Sequence, residues 1–195
     1  MKLIGSGVIL IPYEEIHVEK YHKWMLNKEL QELTASEPLS LEKEYAMQKS
    51  WRTDDDKCTF LVMDKEKYEK NGNEIESLIG DTNLFIDNES KSAETEIMIA
   101  ESNARRKKFG WEAMLMMMKF GRNFLNCETF VAKIGFSNVK SQAMFKKMQF
   151  KEVSRSDIFQ EITYERTCSK DWLEWLDTNV QFSIVEYRKV SFVHM

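Results

Sequence analysis

The amino-acid sequence predicts an α/β (α+β) fold in which helices flank a mixed central β-sheet. Strand-like and helix-like segments alternate along most of the chain, which is the order that packs helices on a partly parallel sheet. A length of 195 residues suits one sizeable hydrophobic core. No internal repeat and no glycine- or proline-rich linker divides the chain. We therefore expect a single domain over residues 1–195, with a core at about 7–166 and a C-terminal helix and tail at 167–195.

The N-terminal third predicts one strand and two helices. The β-branched run "GVILIPY" predicts a strand that ends near Pro12. Apolar residues then recur at helical spacing from Ile16 to Leu33, which predicts one helix. The turn-rich segment "TASEPLS" contains Pro38 and ends this helix. Ser40 is placed to cap the next helix, which we expect over "LEKEYAMQKSWR".

Three further strands are predicted in the middle of the chain. The segments "CTFLVMD" and "SLIGDTNLFID" are apolar runs joined by the polar "KEKYEKNGNEIE". In the third segment, "ETEIMIA", one set of side chains (Thr95, Ile97 and Ile99) alternates with another (Glu94, Glu96 and Met98). This period of two is typical of a strand whose faces have different surroundings.

The C-terminal half predicts helices and strands in turn. Apolar residues from Trp111 to Met118 recur at i, i+3, i+4 and i+7, which predicts a helix after Gly110. "TFVAKIGF" then predicts a strand, and "VKSQAMFKKMQF" predicts a helix. "KEVSRSDIFQEITYER" predicts one long or bulged strand, "SKDWLEWLDTN" a short helix and "FSIVEYR" a weak final strand.

Composition and charge exclude several kinds of partner. The formal net charge of -4 gives no global basic field for nucleic acid, and no apolar run approaches the ~20 residues that span a bilayer. Cys58, Cys127 and Cys168 form no C-x-x-C pair, so they predict reduced thiols of a cytoplasmic protein. The histidines lack the spacing of metal ligands. We therefore expect no nucleic acid, no membrane and no metal.

The segment "NARRKKFGWEAM", from Asn103 to Met114, stands out against this acidic background. Four consecutive cations, Arg105 to Lys108, lie between a predicted strand and Gly110, where a helix begins. The first turn of a helix offers unpaired amides and the positive end of the helix dipole, so this order predicts a pyrophosphate site. Two other interpretations stay open: a solvated basic loop, and a basic patch for nuclear import or for a microtubule surface.

The same residues carry a resemblance to a known family. The run "IMIAESNARRKKFGWEAM" and the later "NVKSQAMFKKMQF" resemble the GNAT superfamily of N-acetyltransferases. Earlier segments, "VILIPYEEIHVEKYHKWM" and "IGDTNLF" among them, resemble the N-acetyltransferase 9-like proteins, and the resemblance extends to about Glu165. It implies a sheet with splayed strands around a cofactor cleft. It also implies acetyl-CoA as co-substrate and a protein N-terminal amine as acceptor, with tubulin or microtubules as a candidate partner.

The superfamily's pyrophosphate loop has the pattern Q/R-x-x-G-x-G/A, which the resemblance aligns with Arg105 to Gly110. Lys108 then stands in place of a glycine, as do Arg106 in the same loop and Gln149 further on. A lysine in the left-handed conformation that glycine allows would cost roughly 1–2 kcal/mol. The cofactor-binding residues that the resemblance implies are Ile97, Met98, Ile99, Arg105, Arg106, Lys107, Lys108, Phe109, Gly110, Trp111 and Asn138.

The acyl transfer implied by the resemblance needs few side chains. An α-amine has a pKa of about 7.7–8.0, so a carboxylate has to remove its proton, while backbone N–H groups polarise the thioester carbonyl. Glu96 and Glu161 are the candidate bases, with Glu94 behind them. Phe145 stands where many members have a tyrosine acid, so Ser141 is the candidate acid. The alternative for Ser141 is a hydroxyl at a helix N-terminus that contacts backbone or cofactor.

A function from another class fits the same departures from the family pattern. The loss of glycine at Lys108 and of tyrosine at Phe145 fits a catalytically weak or inactive GNAT-fold protein. Such a protein would bind a partner such as microtubules through its basic loop. Trp24, Tyr45 and Trp51 are placed either to line a peptide groove or to pack in the core.

Overall fold

The computed structural model of the protein describes residues 1–187, in which nine strands form one sheet flanked by helices. The strands are β1 (Lys2–Ile4), β2 (Val8–Pro12), β3 (Lys57–Asp64), β4 (Leu78–Asp87), β5 (Ser92–Ile99), β6 (Thr129–Gly135), β7 (Lys151–Ser156), β8 (Glu161–Thr167) and β9 (Ser183–Val185). The helices are α1 (Val18–Met25), α2 (Lys28–Thr34), α3 (Leu41–Thr53), α4 (Lys65–Asn71), α5 (Glu74–Ser77), α6 (Phe109–Phe124), α7 (Val139–Lys147) and α8 (Lys170–Asn179), with single 3-10 turns at Glu15–His17 and Ser102–Ala104.

The sheet is mixed and open, as the sequence predicts. Its strand order is β7-β8-β6-β5-β4-β3-β2-β1-β9, and only the β5–β6 pair is parallel. These two strands pair only near their starts, ending with Glu94 opposite Val131, although β5 continues to Ile99 and β6 to Gly135. The strands therefore splay apart into a V-shaped cleft, and the backbone of β5 that faces β6 is left outside the ladder.

Two hydrophobic cores lie on opposite faces of the sheet, which explains the alternation in β5. Ile97 and Ile99 face the core built around α6, and the Thr95 hydroxyl lies 2.8 Å from Met114 Sδ on that helix. Met98 faces the other core, which contains residues of α1 and the segment before it. Glu96 and Glu94, two and four positions before Met98, lie on that second face too.

The prediction of one helix from Ile16 to Leu33 is wrong, because the chain breaks after Met25. Asn27 takes an extended conformation, and its Oδ1 accepts hydrogen bonds from the backbone N–H groups of Glu29 and Leu30. Asparagine competes with helix formation in this way and starts a new helix, α2.

The segment from Lys151 to Arg166 is a hairpin and not one long strand. Strands β7 and β8 pair antiparallel, with Ser156 opposite Glu161. The turn between them contains no glycine or proline; Gln160 provides its left-handed residue, with φ of 52°. The sequence therefore carried no strong turn signal here.

Several other elements match or extend the sequence predictions. Ser40 caps α3, as expected, by accepting a hydrogen bond from the backbone N–H of Lys43 at 3.3 Å. Strand β1 was not predicted, and the polar segment before β4 contains α4 and α5. Arg188, which ends the predicted segment "FSIVEYR", and the expected tail to residue 195 lie outside the described residues.

The cysteines are free thiols, as the sequence predicts. Burial raises the pKa of Cys58 to about 12 and that of Cys168 to about 11, so neither is a ready nucleophile. Within residues 1–187 no helix is long and apolar enough to cross a membrane. The same residues contain no group of three or more metal-ligating side chains.

Candidate active site

The basic loop leads from β5 into α6 through two left-handed residues. Arg106 has φ of 63° and Lys108 has φ of 65°, both in the region that favours glycine. These are the two positions where the sequence resemblance predicts glycine to have been replaced. The loop thus adopts a conformation that suits glycine at both positions, although a larger side chain stands at each of them.

The N-terminus of α6 is open to an anion. Lys108 is the N-cap residue and its side chain makes no cap hydrogen bond, so it leaves the first-turn amides for other acceptors. Arg106, Lys107 and Lys108 are exposed beside those amides. Unpaired amides, the positive end of a helix of 16 residues and three cations fit a pyrophosphate group.

The Arg105 guanidinium, by contrast, is engaged within the protein. Its Nε donates to the carbonyl of Ile99 at 3.0 Å, and its Nη1 lies 3.0 Å from Glu29 Oε1. Arg105 therefore ties the end of β5 to α2. The residues that follow Arg105, and not Arg105 itself, present cations to solvent.

Gly110 brings α6 against β5. A Cβ atom at Gly110 would lie 3.3 Å from Ile99 Cγ1 and 3.7 Å from Ile97 Cγ1. The residues on either side, Phe109 and Trp111, are half-buried against the core on this face. Gly110 thus matters first for close packing of helix on strand, and this packing aims the helix N-terminus at the open end of the cleft.

The backbone of β5 forms one wall of the cleft. The side chains of Ile97, Met98 and Ile99 point into the two cores, so their backbone edge is what they present toward β6. On the other edge β5 pairs closely with β4, and a Cβ atom on Gly80 would lie 1.9 Å from the carbonyl oxygen of Met98. An extended amide-containing ligand between β5 and β6 would meet free N–H and C=O groups at strand spacing.

The predicted bases share one face of the sheet, named here the carboxylate face: it carries Glu94 and Glu96 on β5 and Glu161 on β8. Glu94 pairs with Lys133 across the cleft, with Oε2 and Nζ 2.6 Å apart. Glu161 lies on the other side of the cleft, opposite Gly135 of β6. Glu94 raises the pKa of Lys133 most, and Glu161 adds to this rise.

Glu96 is the base candidate with a shifted pKa. Its side chain reaches solvent, yet the walls of the cleft remove part of its water, and this burial raises its pKa. Glu94 adds to the rise, while Lys57 and Lys133 oppose it. A carboxylate with a raised pKa is better suited to accept a proton near neutral pH.

The site residues predicted in and around α7 mainly make contacts within the protein. Asn138 caps α7 through Oδ1, which accepts from the backbone N–H of Ser141 at 3.2 Å, and Ser141 is half-buried in the first turn. Phe145 is buried and packs edge-on against Phe150, with ring centroids 5.0 Å apart. Gln149 is left-handed, with φ of 66°, as the glycine it replaces would be.

A buried polar chain on the carboxylate face was missed by the sequence analysis. The Thr59 hydroxyl donates to Asn83 Oδ1 at 2.6 Å, and Asn83 Nδ2 donates to Asp81 Oδ2 at 2.8 Å. Asp81 is only 2% exposed, and burial raises its pKa to about 7. The available signal was a run of three polar residues, Asp81 to Asn83, inside the otherwise apolar "LIGDTNLFI".

Aromatic rings surround this polar chain. The Lys57 ammonium lies 3.3 Å from the ring centroid of Trp51 and 3.9 Å from that of Phe85, and burial lowers its pKa to about 8. An open pocket of about 290 Å³ lies beside Lys57. Trp24 packs in the core on this face, whereas Trp51 and Tyr45 are half-buried at its edge. The predicted aromatic set is therefore mostly core, with Trp51 also lining the pocket.

The cleft, the loop and the open mixed sheet define an acetyltransferase fold. The family of acetyltransferase (GNAT) domains matches residues 8–151, and the chain belongs to this family. It is an acetyl-CoA-dependent N-acetyltransferase.

Relatives and a solved structure agree with this assignment. The chain is 48% identical over 193 residues to alpha/beta-tubulin-N-acetyltransferase 9 of Drosophila melanogaster, covering 96% of each chain. It is 46% identical over 179 residues to the human protein of the same name, covering 89% of this chain and 86% of that one. Its fold is similar to that of spermidine N-acetyltransferase from Vibrio cholerae, solved with CoA and spermine: the TM-score is 0.73 at 19% identity, over 86% of this chain and 98% of that chain.

Proposed function

We propose that this protein acetylates the N-terminal α-amine of a cytoplasmic protein and that tubulin is an acceptor. The observation that carries the proposal is the V-shaped cleft between β5 and β6, with the basic loop at its open end and carboxylates on one face. The names of the fly and human relatives support tubulin as the acceptor. Together these features support a site with acetyl-CoA at the loop and an amine at the carboxylate face.

Cofactor binding is assigned to the loop and to β5. The first-turn amides of α6 hold the pyrophosphate, and Arg106, Lys107 and Lys108 add charge-assisted contacts. The free backbone edge of β5 at 97–99 pairs with the amide-containing arm of the cofactor. When bound, acetyl-CoA supplies the activated acetyl group as a thioester.

The acceptor approaches from the carboxylate face as an ammonium. Glu96 takes its proton, and the neutral amine attacks the thioester carbonyl; an amide bond forms as the C–S bond breaks. A backbone N–H on the unpaired edge of β5 stabilises the developing oxyanion. Phe145 has no proton to donate to the leaving thiolate, so Ser141 stays the candidate acid.

A non-catalytic function is favoured by one observation: Arg106, Lys107 and Lys108 are exposed as an unbroken basic patch. Such a patch would suit an acidic partner surface, such as that of a microtubule, without any chemistry. The two functions differ in whether acetyl-CoA occupies the loop.

Calorimetric titration with acetyl-CoA separates them. We expect binding by the unmodified protein, a loss of about tenfold or more in affinity for Gly110→Val, and a smaller loss for the matched variant Lys107→Ala. Valine at position 110 would push α6 away from Ile99 and Ile97 and so misplace the amides, whereas Lys107 is a replaceable exposed charge. No heat at millimolar acetyl-CoA, or the reverse ranking of the two variants, would contradict the cofactor assignment.

The acceptor is tested with peptides that copy the N-termini of α- and β-tubulin. Mass spectrometry should detect one added acetyl group on the α-amine, and Glu96→Gln should slow its formation while acetyl-CoA still binds. The matched variant Glu94→Gln should slow it less, because Glu94 is already paired with Lys133. Acetylation of lysine side chains alone would rule out an N-terminal acceptor.

A further inference from the structure

Asp81 lies next to the proposed base on the carboxylate face and is only 2% exposed. Its Oδ2 accepts a hydrogen bond from Asn83, and the Tyr21 side chain interacts with the same carboxyl and lowers its pKa. In the β4–β5 register Asn83 faces Glu96, so Asp81 and Glu96 are diagonal neighbours on the carboxylate face. A carboxyl buried this deeply is costly unless it has a role, which makes its position next to Glu96 informative.

The groups that face Asp81 come from each element packed on it. Lys57 approaches from β3, Glu96 from β5, and Tyr21 from α1. Tyr13, in the segment before α1, adds a buried hydroxyl that has no hydrogen-bond partner among residues 1–187, and the charge of Asp81 contributes to the rise of its pKa. Further out on this face, Glu44 of α3 pairs with His22 of α1, with Oε1 and Nδ1 3.7 Å apart.

The charge of Glu96 acts on the Asp81 carboxyl. Among the charges around Asp81, Glu96 opposes its ionisation and Lys57 favours it, while burial is the largest effect. Two carboxyls that share one site do not ionise independently: the charge on one holds a proton on the other. The hydrogen bond from Asn83 holds Asp81 next to Glu96, while Thr59 contacts Asn83 and not Asp81 itself.

We propose that Asp81 is a positioning residue for acetyl transfer: with Glu96 it forms a coupled carboxyl pair that takes up the proton of the acceptor's ammonium. Glu96 contacts the ammonium, and Asp81 acts through Glu96. One N–H bond of the ammonium breaks, one carboxyl O–H bond forms on the pair, and the proton leaves to solvent after the amide has formed. This inference rests on the proposed function, since it assigns the proton acceptor of that reaction.

The pair makes a prediction about the pH profile of kcat/KM. In the unmodified protein the acid limb reports the upper pKa of the pair. Asp81→Asn keeps the shape of the side chain but removes its proton site. The acid limb should then move to lower pH by about one unit and kcat at high pH should fall several-fold, because Glu96 alone is a weaker base. The matched variant Thr59→Val removes a hydrogen bond from the same buried polar chain but no titrating group. The acid limb of its pH profile should therefore stay where it is in the unmodified protein.

A measurement that needs no acetyl transfer completes the test. Carboxyl ¹³C NMR of the full chain should show an aspartate signal, absent in Asp81→Asn, that titrates near neutral pH. Glu96→Gln should shift this titration to lower pH, and it also serves if Asp81→Asn does not fold, since Glu96 reaches solvent. An aspartate titration unmoved by Glu96→Gln, or an acid limb identical in Asp81→Asn and the unmodified protein, would overturn the pair. A protein that shows the coupled titration but acetylates no amine would refute the proposed function and leave the coupled pair standing.

Discussion

Arg106, Lys108 and Gln149 occupy left-handed backbone positions, with φ of 63°, 65° and 66°. The family resemblance places a glycine at each of these positions. For residues with a Cβ atom this conformation carries a cost of roughly 1–2 kcal/mol. The chain carries this cost at all three positions. In the loop, the two substitutions add cations beside the α6 amides, where an anion gains from them.

Lys108→Gly separates backbone strain from charge. Glycine should raise the free energy of unfolding by about 1 kcal/mol, because it adopts φ of 65° freely. At low salt the variant should bind acetyl-CoA more weakly, since a cation has been removed. The difference should shrink at high salt, as the Debye length falls from about 10 Å at 0.1 M to about 3 Å at 1 M. Dissociation constants at these two ionic strengths test the expectation. Tighter binding by the variant at low salt would show that Lys108 blocks the loop.

Among the elements, α6 contacts several parts of the site, which its helical spacing in the sequence does not reveal. Its N-terminus forms the proposed anion site, and Gly110 sets its distance from β5. Its first turn also holds the turn between β1 and β2, because the Glu112 carboxylate accepts hydrogen bonds from the backbone N–H groups of Ser6 and Gly7. One helix therefore fixes the position of the loop against both the edge and the centre of the sheet.

Glu112→Ala tests this connection. Hydrogen bonds to an ionised carboxylate are stronger than neutral ones, so their loss should lower the free energy of unfolding by about 1.5–3 kcal/mol. The matched variant is Glu66→Ala on α4, which removes an exposed ion pair with Lys70 and should change stability much less. Urea unfolding followed by circular dichroism gives both values. Equal effects of the two substitutions would contradict a structural role for Glu112.

At the scale of the whole molecule, the sheet separates two environments. One face carries α6 and a dry apolar core, and the carboxylate face holds the buried polar chain beside aromatic rings. The described strands all belong to one sheet. The single domain over residues 1–195 stays a prediction. The buried carboxyl of Asp81 makes the stability of the whole chain depend on pH.

The sign of that dependence follows from the raised pKa of Asp81. Burial moves this pKa from 3.8 to about 7, so the folded chain binds the proton more tightly than the unfolded chain does. The resulting stabilisation is complete below about pH 4 and is lost as the pH rises through about 7. Asparagine has no such proton, so the stability of Asp81→Asn relative to the unmodified protein should rise between these pH values. Urea unfolding across this range measures it. For Thr59→Val, the difference in free energy of unfolding from the unmodified protein should be the same at every pH. A difference that is equally constant for Asp81→Asn would contradict the raised pKa of Asp81.

Local patterns in the sequence determined the types of most elements. The period of two in β5, the helical spacing after Gly110 and the cap at Ser40 each depend on residues a few positions apart, and the structure confirms all three. The glycine pattern of the family resemblance indicated the left-handed positions at Arg106 and Lys108. The resemblance also directed attention to Glu96 and Glu161, which do share one face of the cleft.

Long-range packing decided the rest. The break at Asn27 depends on whether its side chain caps a new helix or leaves the first helix to continue. The hairpin after Lys151 depends on strand pairing that no local turn signal indicates. Asp81 looked like one acid in an apolar strand. Only tertiary structure places it next to Glu96 and near Lys57, because strand register brings residues far apart in sequence together on one face of a sheet. A sequence by itself determines which side chains are available and how they repeat; burial and neighbouring charge, which set their pKa values, are properties of the folded chain.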